Sequence, residues 1–285
     1  NNAKPYSLSS WGTYMGSNVV MESASSIPEF RDRMKGVILG IDYNLDGNFT
    51  LGLAGTIVSQ DLDQRGGSGS STVRSYQGFL YSKWNNIDDG AGAYWNTVLG
   101  AGTMDIETHR FIAFLNRKTK SSHSAEVYSA STNAGYVFGK GKWALKPGLN
   151  INYALLHEDS YSESRGGDLS LDIDSRDSQS LQSRLGISIS REIKLKKTLL
   201  IPEFRMYWVR EFITEPSDIK AGFKNSNSTF KAKARKVPEN SAILGLGLNA
   251  WFSDRIFGAV DYEYTFMENN HGSEQRISAQ LKIRF

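Results

Sequence analysis

The stretch Glu274–Phe285 reads EQRISAQLKIRF, and in it Ile277, Ala279, Leu281, Ile283 and Phe285 alternate with Arg276, Ser278, Gln280, Lys282 and Arg284. Strict period two over ten residues is the pattern of a β-strand with one apolar and one polar face. A half-buried strand of a soluble sandwich alternates in the same way. Three cations on the polar face and a terminal aromatic fit better a strand standing between lipid and a hydrated interior.

The alternation recurs upstream. Val37, Leu39, Ile41, Tyr43 and Leu45 are interleaved with Ile38, Gly40, Asp42 and Asn44; Leu145, Pro147, Leu149, Ile151 and Tyr153 with Lys146, Gly148, Asn150 and Asn152. Leu185, Ile187 and Ile189 are offset by Arg184, Gly186 and Ser188; Phe204, Met206 and Trp208 by Glu203, Arg205 and Tyr207. Leu244, Leu246 and Leu248 are offset by Gly245, Gly247 and Asn249, and Val260, Tyr262 and Tyr264 by Asp261 and Glu263. Short turn signals lie near Asp46-Gly47-Asn48, Asp88-Asp89-Gly90, Gly139-Lys140-Gly141, Lys194 to Lys197 and Ser253-Asp254-Arg255. Longer polar stretches lie between them, near 22–32, 65–71, 112–122, 160–170, 216–240 and 269–273. Five short turns interleaved with six longer loops give twelve strands with both termini at the short-turn end. Hydrocarbon tolerates no unpaired sheet edge, and an even strand number closes an antiparallel sheet. The fold class expected is therefore all-β: a transmembrane antiparallel β-barrel of about twelve strands, with short periplasmic turns and longer extracellular loops.

Composition agrees. Of 285 residues only 39% are hydrophobic and 22% are charged, yet there are 13 Tyr, 14 Phe, 6 Trp and 27 Gly. Disordered chains are poor in aromatics, whereas a membrane barrel turns only every second residue to lipid and rings its interfaces with them. No run of about 18 apolar residues offers a transmembrane helix. The opening NNAKPYSLSS has neither a basic start nor an apolar core, so no signal peptide is expected and the sequence reads as a mature or downstream piece of an exported protein. With no cysteine, thiolate zinc sites and cysteine nucleophiles are ruled out. A net charge of +3 is too small to imply nucleic acid, and no phosphate-binding loop, HExxH or GxSxG occurs. No cofactor and no metal are expected.

Several segments carry a resemblance in their order and spacing: SSWGTYMG at 9–16, RMKGVILGIDYNLDGNFTLGLAGTIVSQDLD at 33–63, WALKPGLNINY at 143–153, and IPEFRMYWVREF at 201–212 with its Pro202, Trp208 and Glu211. The last is NSAILGLGLNAWFSDRIFGAVDYEYTF at 240–266 followed by HGSEQRISAQLKIRF at 271–285. Together they resemble the translocator domain of autotransporters, the C-terminal barrel of type V secretion, from Trp11 onward. The resemblance implies an integral outer-membrane barrel over 11–285 that helps a covalently linked N-terminal passenger to the surface. It also implies a closing strand read by the barrel assembly machinery, with Tyr264, Leu281, Ile283 and Phe285 as its signal, and a monomer in contact with outer-membrane lipid and lipopolysaccharide. The family carries a pore helix before its first strand; residues 1–10 are too short and too rich in Pro and Ser to supply it, and read as a residual linker. Asn1-Asn2 resembles the pair at which some members cut themselves, although those members follow it with more helix. A non-catalytic barrel is expected, with self-cleavage of the linker left open.

The inward-facing charges are Asp42, Lys146, Arg184, Glu203, Arg205, Glu211, Asp261, Glu263, Arg276, Lys282 and Arg284. They read either as the lining of a hydrated passage for an extended polypeptide or as pairs bracing the wall. Two rival functions are a barrel enzyme of phospholipase or protease type and a diffusion porin. His271-Gly272-Ser273 has the spacing of a lipolytic pair but sits in a loop; His157-Glu158-Asp159 resembles part of a protease site without an acidic pair opposite; His109 and His123 flank one external loop without further ligands. The segment from Pro216 to Asn240 carries Lys220, Phe223, Lys224, Phe230, Lys231, Lys233, Arg235 and Lys236, and reads as an extracellular hairpin prolonging the ninth and tenth strands. Such a hairpin could grip or shield an emerging passenger, or meet lipopolysaccharide phosphates.

Overall fold

The computed structural model describes residues 5–23, 29–65, 68–215, 217–226, 228–234, 236–268 and 272–285. The chain begins with β1 (Ser7–Met21), β2 (Phe30–Asn44), β3 (Phe49–Gln64), β4 (Gly69–Asn85), β5 (Gly92–Ile112), β6 (Arg117–Lys140) and β7 (Trp143–Glu158). Two short strands, β8 (Tyr161–Ser162) and β9 (Leu171–Ile173), precede β10 (Arg176–Arg191), β11 (Ile193–Leu195) and β12 (Thr198–Glu211). Then come β13 (Asp218–Phe223), β14 (Thr229–Lys233), β15 (Asn240–Trp251), β16 (Ile256–Met267) and β17 (Gly272–Arg284).

Twelve of these strands form one closed antiparallel wall, in the order β1 to β7, β10, β12, β15, β16 and β17. Closure comes where the first strand meets the last: β1 pairs with β17 from Ser9 opposite Arg284 to Met21 opposite Gly272. Beyond it the Phe285 backbone N–H donates to the Leu8 carbonyl at 2.9 Å. Ser7 to Ser10, inside the stretch read as linker, thus already belong to the wall. The ladder between β6 and β7 skips Tyr136 and Val137, where Pro147 has no N–H to give.

The two faces follow the pleat. Leu39 and Leu246 are 64% and 60% exposed, and with Leu53, Leu149, Ile277 and Leu281 they form an apolar outer band. Tyr14 and Tyr76 bound the band toward the long loops; Trp84, Trp95 and Trp143 bound it toward the short turns. At the turn after β2, the Asp46 carboxylate accepts the N–H groups of Asn48 and Phe49 at 2.8 and 2.6 Å, around Gly47 at φ +93°. Those bonds, Phe49's foremost, hold the Asp46 carboxyl below its ordinary range. Inside, rings lie across glycines on neighbouring strands. A side chain at Gly40 would strike the Trp11 ring, and one at Gly52 would strike Tyr81.

Two expectations about loops need correction. The polar stretch 112–122 is mostly strand: a 3₁₀ turn at Ala113–Leu115 joins β5 to β6, and Ile112 pairs with Arg117. These strand ends stand above the membrane with water available, so their sequence lacks an apolar phase. Nor does the 216–240 segment prolong the ninth and tenth wall strands, β12 and β15. Its hairpin, β13–β14, joins β9 and β8 from the preceding long loop in a separate four-stranded sheet, with Ala221 directly opposite Ile173 and both buried.

The outward phase of β15 makes a sharp prediction. Leu246→Arg, at mid-band, should cost about 2–4 kcal/mol in reversible unfolding from lipid vesicles, whereas Asn249→Ser, on the inward phase, should cost far less.

Candidate functional site

The lumen is lined by what the pleat turns inward, and its two halves differ. Across β7 to β17 runs a continuous ionic belt. Lys146 Nζ lies 3.4 Å from Glu203 Oε2, and Arg205 Nη1 lies 3.6 Å from Glu203 Oε1. Arg205 Nη2 donates to Asp261 at 2.7 Å and lies 3.7 Å from Glu263. Arg276 stands 3.9 Å from Glu263 and 2.7 Å from Glu274. The long side chains can meet because small residues separate them: Ser188 on β10 between Lys146 and Arg205, Gly245 on β15 between Arg205 and Glu263. The opposite half, on β3 to β6, offers Thr56, Gln77, Phe79, Asn96 and Ser131, with no ionic belt among the described residues.

A second cluster bridges the seam. Asp42, only 3% exposed, accepts from Lys282 Nζ at 2.9 Å on both oxygens and from Tyr81 Oη at 3.1 Å. Trp11 Nε1 donates to Tyr81 Oη at 2.6 Å. These four side chains tie β17, β1, β2 and β4 together beside a void of about 300 Å³, into which Lys83 also projects. Lys83 Nζ stands 5.1 Å from the Tyr81 ring centroid.

All eleven charges expected to face inward lie on that phase, in different circumstances. Eight of them form the belt and the seam cluster. Arg184 has no ion pair among the described residues, and its Nε is buried without a partner. Arg284 lies over the Trp251 ring at 5.5 Å. Glu211 is 3% exposed and staples strand ends, accepting from Ser180 Oγ and the N–H groups of Leu181 and Ile213. Trp11, Tyr81, Lys83 and Glu274 escaped the sequence reading. Alternation in β4 is masked because Phe79 and Tyr81 point inward while Gly78 and Ser82 point out.

At the extracellular rim, His123 and Glu158 both turn inward. His123, 2% exposed in its side chain, meets Glu158 at 3.1 Å and stacks on Tyr161 at 3.9 Å. Arg176 donates to the other Glu158 oxygen at 2.7 and 2.6 Å. Burial pushes the Glu158 carboxyl up, but the His123 bond and the Arg176 charge outweigh it, and the net shift is downward. Arg110 and Thr119 hold Glu163 in the same way, folding the β7–β10 loop against the inner face of the β5–β6 extension. His157 points to the outer face, against Asp177 at 2.6 Å, so adjacent residues 157 and 158 lie on opposite sides of the wall. His109 likewise faces out, to Glu107. No group of three metal-ligating side chains occurs among the described residues; His271 lies outside them.

In the outer sheet, Asp218, Lys220, Lys231 and Lys233 share one face, while Ile219, Ala221, Phe223 and Phe230 share the other. Lys231 pairs with Asp218 at 3.0 Å, the Phe223 and Phe230 rings stand 5.8 Å apart, and Lys236 lies 3.8 Å from Glu215. The Lys224 N–H donates to the Ser170 carbonyl at 2.9 Å; Arg235 lies outside the described residues.

Residues 10–263 match the family model described as the autotransporter β-domain. The chain belongs to the autotransporter β-domain family. Its fold is similar to the translocator domain of the autotransporter NalP from Neisseria meningitidis, with TM-score 0.76 and 16% identity over 98% of this chain and 88% of that one. It is also similar to the β-domain of the Bordetella autotransporter BrkA, with TM-score 0.72 and 17% identity over 98% and 100%. Among curated proteins, an uncharacterised protein of the trpE–trpG intergenic region of Pseudomonas putida is 25% identical over 175 residues, 59% of this chain and 28% of that protein. The chain spans between 14% and 28% of the length of the curated relatives it matches. The autotransporter β-domain is an integral outer-membrane barrel, and its family role is the export of a linked passenger.

Two outcomes follow from this geometry. Arg205→Met removes the centre of the belt and leaves Glu203, Asp261 and Glu263 facing one another, at a cost of about 3 kcal/mol in vesicle unfolding; adding Asp261→Asn should recover part of it. The Asp177 hydrogen bond raises the pKa of His157 above 6.5. That pair therefore adds stability below pH 6.5 and loses it as pH rises through the folded value. An NMR titration of His157 should show the raised midpoint, and Asp177→Asn should lower it.

Proposed function

We propose that this barrel is the translocator of a longer exported protein, carrying an N-terminally linked passenger to the cell surface as a non-catalytic monomer. The observation that carries the reading is the lumen itself. It is a closed, polar passage with a self-neutralising belt on one half and, Lys83 apart, uncharged side chains on the other. Charges already paired in the wall hold an extended polypeptide only weakly, so a chain can slide past while the wall stays braced. Among the described residues there is no α-helix to fill the lumen, and the β7–β10 loop covers the inner face only at the extracellular rim. The three described histidines give no support to a hydrolase, since His109 and His157 face out while His123 is sealed beneath Tyr161.

The closing strand would serve as the signal for the assembly machinery, with Leu281, Ile283 and Phe285 along its outer edge and Tyr264 beside Phe266 on β16 at 4.5 Å. The outer sheet would act after the lumen. Its β14 edge pairs with β13 alone and is exposed throughout, offering backbone groups to an emerging strand. Lys220, Lys231 and Lys233 on the outward face would attract acidic passenger segments or lipid phosphates.

Surface delivery of the passenger, followed by protease accessibility after pulse labelling, tests this reading. Replacing 221–233 by a tight turn should leave barrel stability nearly unchanged, because closure entropy varies slowly with loop length, and should slow delivery several-fold. Delivery at the native rate would remove the outer sheet from the pathway. A barrel that assembles yet leaves no upstream segment outside the cell would overturn the translocator reading.

A further inference from the structure

The lipid-facing wall is not evenly filled, and one of its hollows lies under two cations without an ion pair. Outward residues can be followed across β2, β3 and β4 through the register. One row runs Val37, Ile57, Tyr76; the row toward the short turns runs Leu39, Gly55, Gly78; the row toward the long loops runs Lys35, Ser59, Arg74. A methyl group at Gly78 would meet nothing within 4 Å, and one at Gly55 would meet only the Gln77 carbonyl oxygen, at 3.9 Å. The two glycines leave a groove of about 550 Å³, walled by Val37, Leu39, Ile57 and Tyr76.

Lys35 and Arg74 are both exposed, and neither has a carboxylate within 4.0 Å among the described residues. Their Cα atoms are two strands apart, about 10 Å, with only Ser59 between them. The nearby acids are engaged or set aside. Asp63 is paired with Arg33 at 2.9 Å and Asp61 accepts from Thr72 Oγ1 at 3.2 Å; Asp105 is the residue directly opposite Arg74 on β5, away from Lys35, and forms no ion pair with it. Elsewhere on the extracellular rim Arg210 is paired with Glu239 and Lys120 with Glu107.

We propose that this face binds one phosphorylated acyl lipid of the outer leaflet, with an acyl chain in the groove over Gly55 and Gly78 and a phosphate between Lys35 and Arg74. The occupant follows from the surroundings. The groove opens into hydrocarbon, where an acyl chain and not water is available to fill it. The cations stand one row above the Tyr14–Tyr76 girdle, at headgroup height on the long-loop side. A guanidinium grips phosphate with two parallel bonds and an ammonium adds a point charge. The proposal rests on the outer-membrane location alone, so it stands or falls independently of passenger export.

The protein extracted from outer membranes and stripped of lipid by detergent exchange would be titrated with bisphosphorylated lipid A, with the dephosphorylated lipid and with inorganic phosphate, the bound species being counted by native mass spectrometry. One equivalent of the phosphorylated lipid should be retained at least about tenfold more tightly than its dephosphorylated counterpart, and inorganic phosphate should not displace it. Lys35→Gln with Arg74→Gln should abolish that preference. Gly78→Leu, whose Cβ meets nothing within 4 Å and whose side chain would occupy the groove, should weaken both lipids several-fold, and Lys142→Gln, on a periplasmic turn, should change neither. Thermal melts identify any variant that has lost the fold; conservative Lys35→Arg, expected to keep the preference, then replaces it. Equal retention of the two lipids, displacement by phosphate alone, or full retention by the double variant or by Gly78→Leu would each overturn the site.

Discussion

Hydrocarbon offers no hydrogen-bond partner, so each N–H and C=O of a spanning segment must find one on the next strand. In this chain that requirement is met by bringing Ser9 opposite Arg284, more than 270 residues later in the sequence. Once the first and last strands are zipped, the wall has no edge and the pleat divides all side chains into two populations. Lipid then dictates one phase and water the other. The apolar band, the girdles, the ionic belt and the aromatic rings laid over glycines are consequences of that division.

The inward population solves a packing problem as well as an electrostatic one. A lumen of twelve strands is narrow, and long side chains on adjacent strands would collide. Glycine and serine on β10 and β15 give Arg205 and Lys146 the room to lie across neighbours and reach acids two strands away. Trp11 and Tyr81 use Gly40 and Gly52 in the same manner at the seam. Most inward charges are paired within the wall, Arg184 excepted, and such pairing fits the proposed transit better than retention. On the outer face the same economy of side-chain volume at Gly55 and Gly78 has the opposite result, a hollow in the surface that lipid must fill.

What could be read from the sequence was whatever the pleat repeats. Leu244, Leu246 and Leu248 set against Gly245, Gly247 and Asn249 declare both the strand and its orientation, and the turns at Asp46-Gly47-Asn48 and Gly139-Lys140-Gly141 declare where strands reverse. The inward phase of Asp42, Arg205 and Lys282 was legible for the same reason. Partnership was not. That Asp42 would be sealed by Lys282 and Tyr81 depends on a seam joining distant segments, and that Glu211 would staple strand ends depends on Ser180 and Leu181 of another strand. β4 hid its phase because aromatic residues line its inner face. The outer sheet was illegible because Ala221 meets Ile173 through two loops whose sequences show no shared register, and residues 112–122 misled because their inner face is buried by polar contacts with the β7–β10 loop, Thr119 to Glu163 among them, so no apolar alternation is needed.

The native chain contains no cysteine, so single cysteines can be placed along β17 and probed in intact outer membranes without background. The account holds that the wall separates water from lipid with period two up to the last residues. Cysteines replacing Ser278, Gln280 and Lys282 should react with a small water-soluble maleimide, while those replacing Ala279, Leu281 and Ile283 should be protected from it. Reactivity that is uniform along the strand, or alternates in the opposite phase, would contradict the division of faces on which the lumen, the belt and the lipid site all rest.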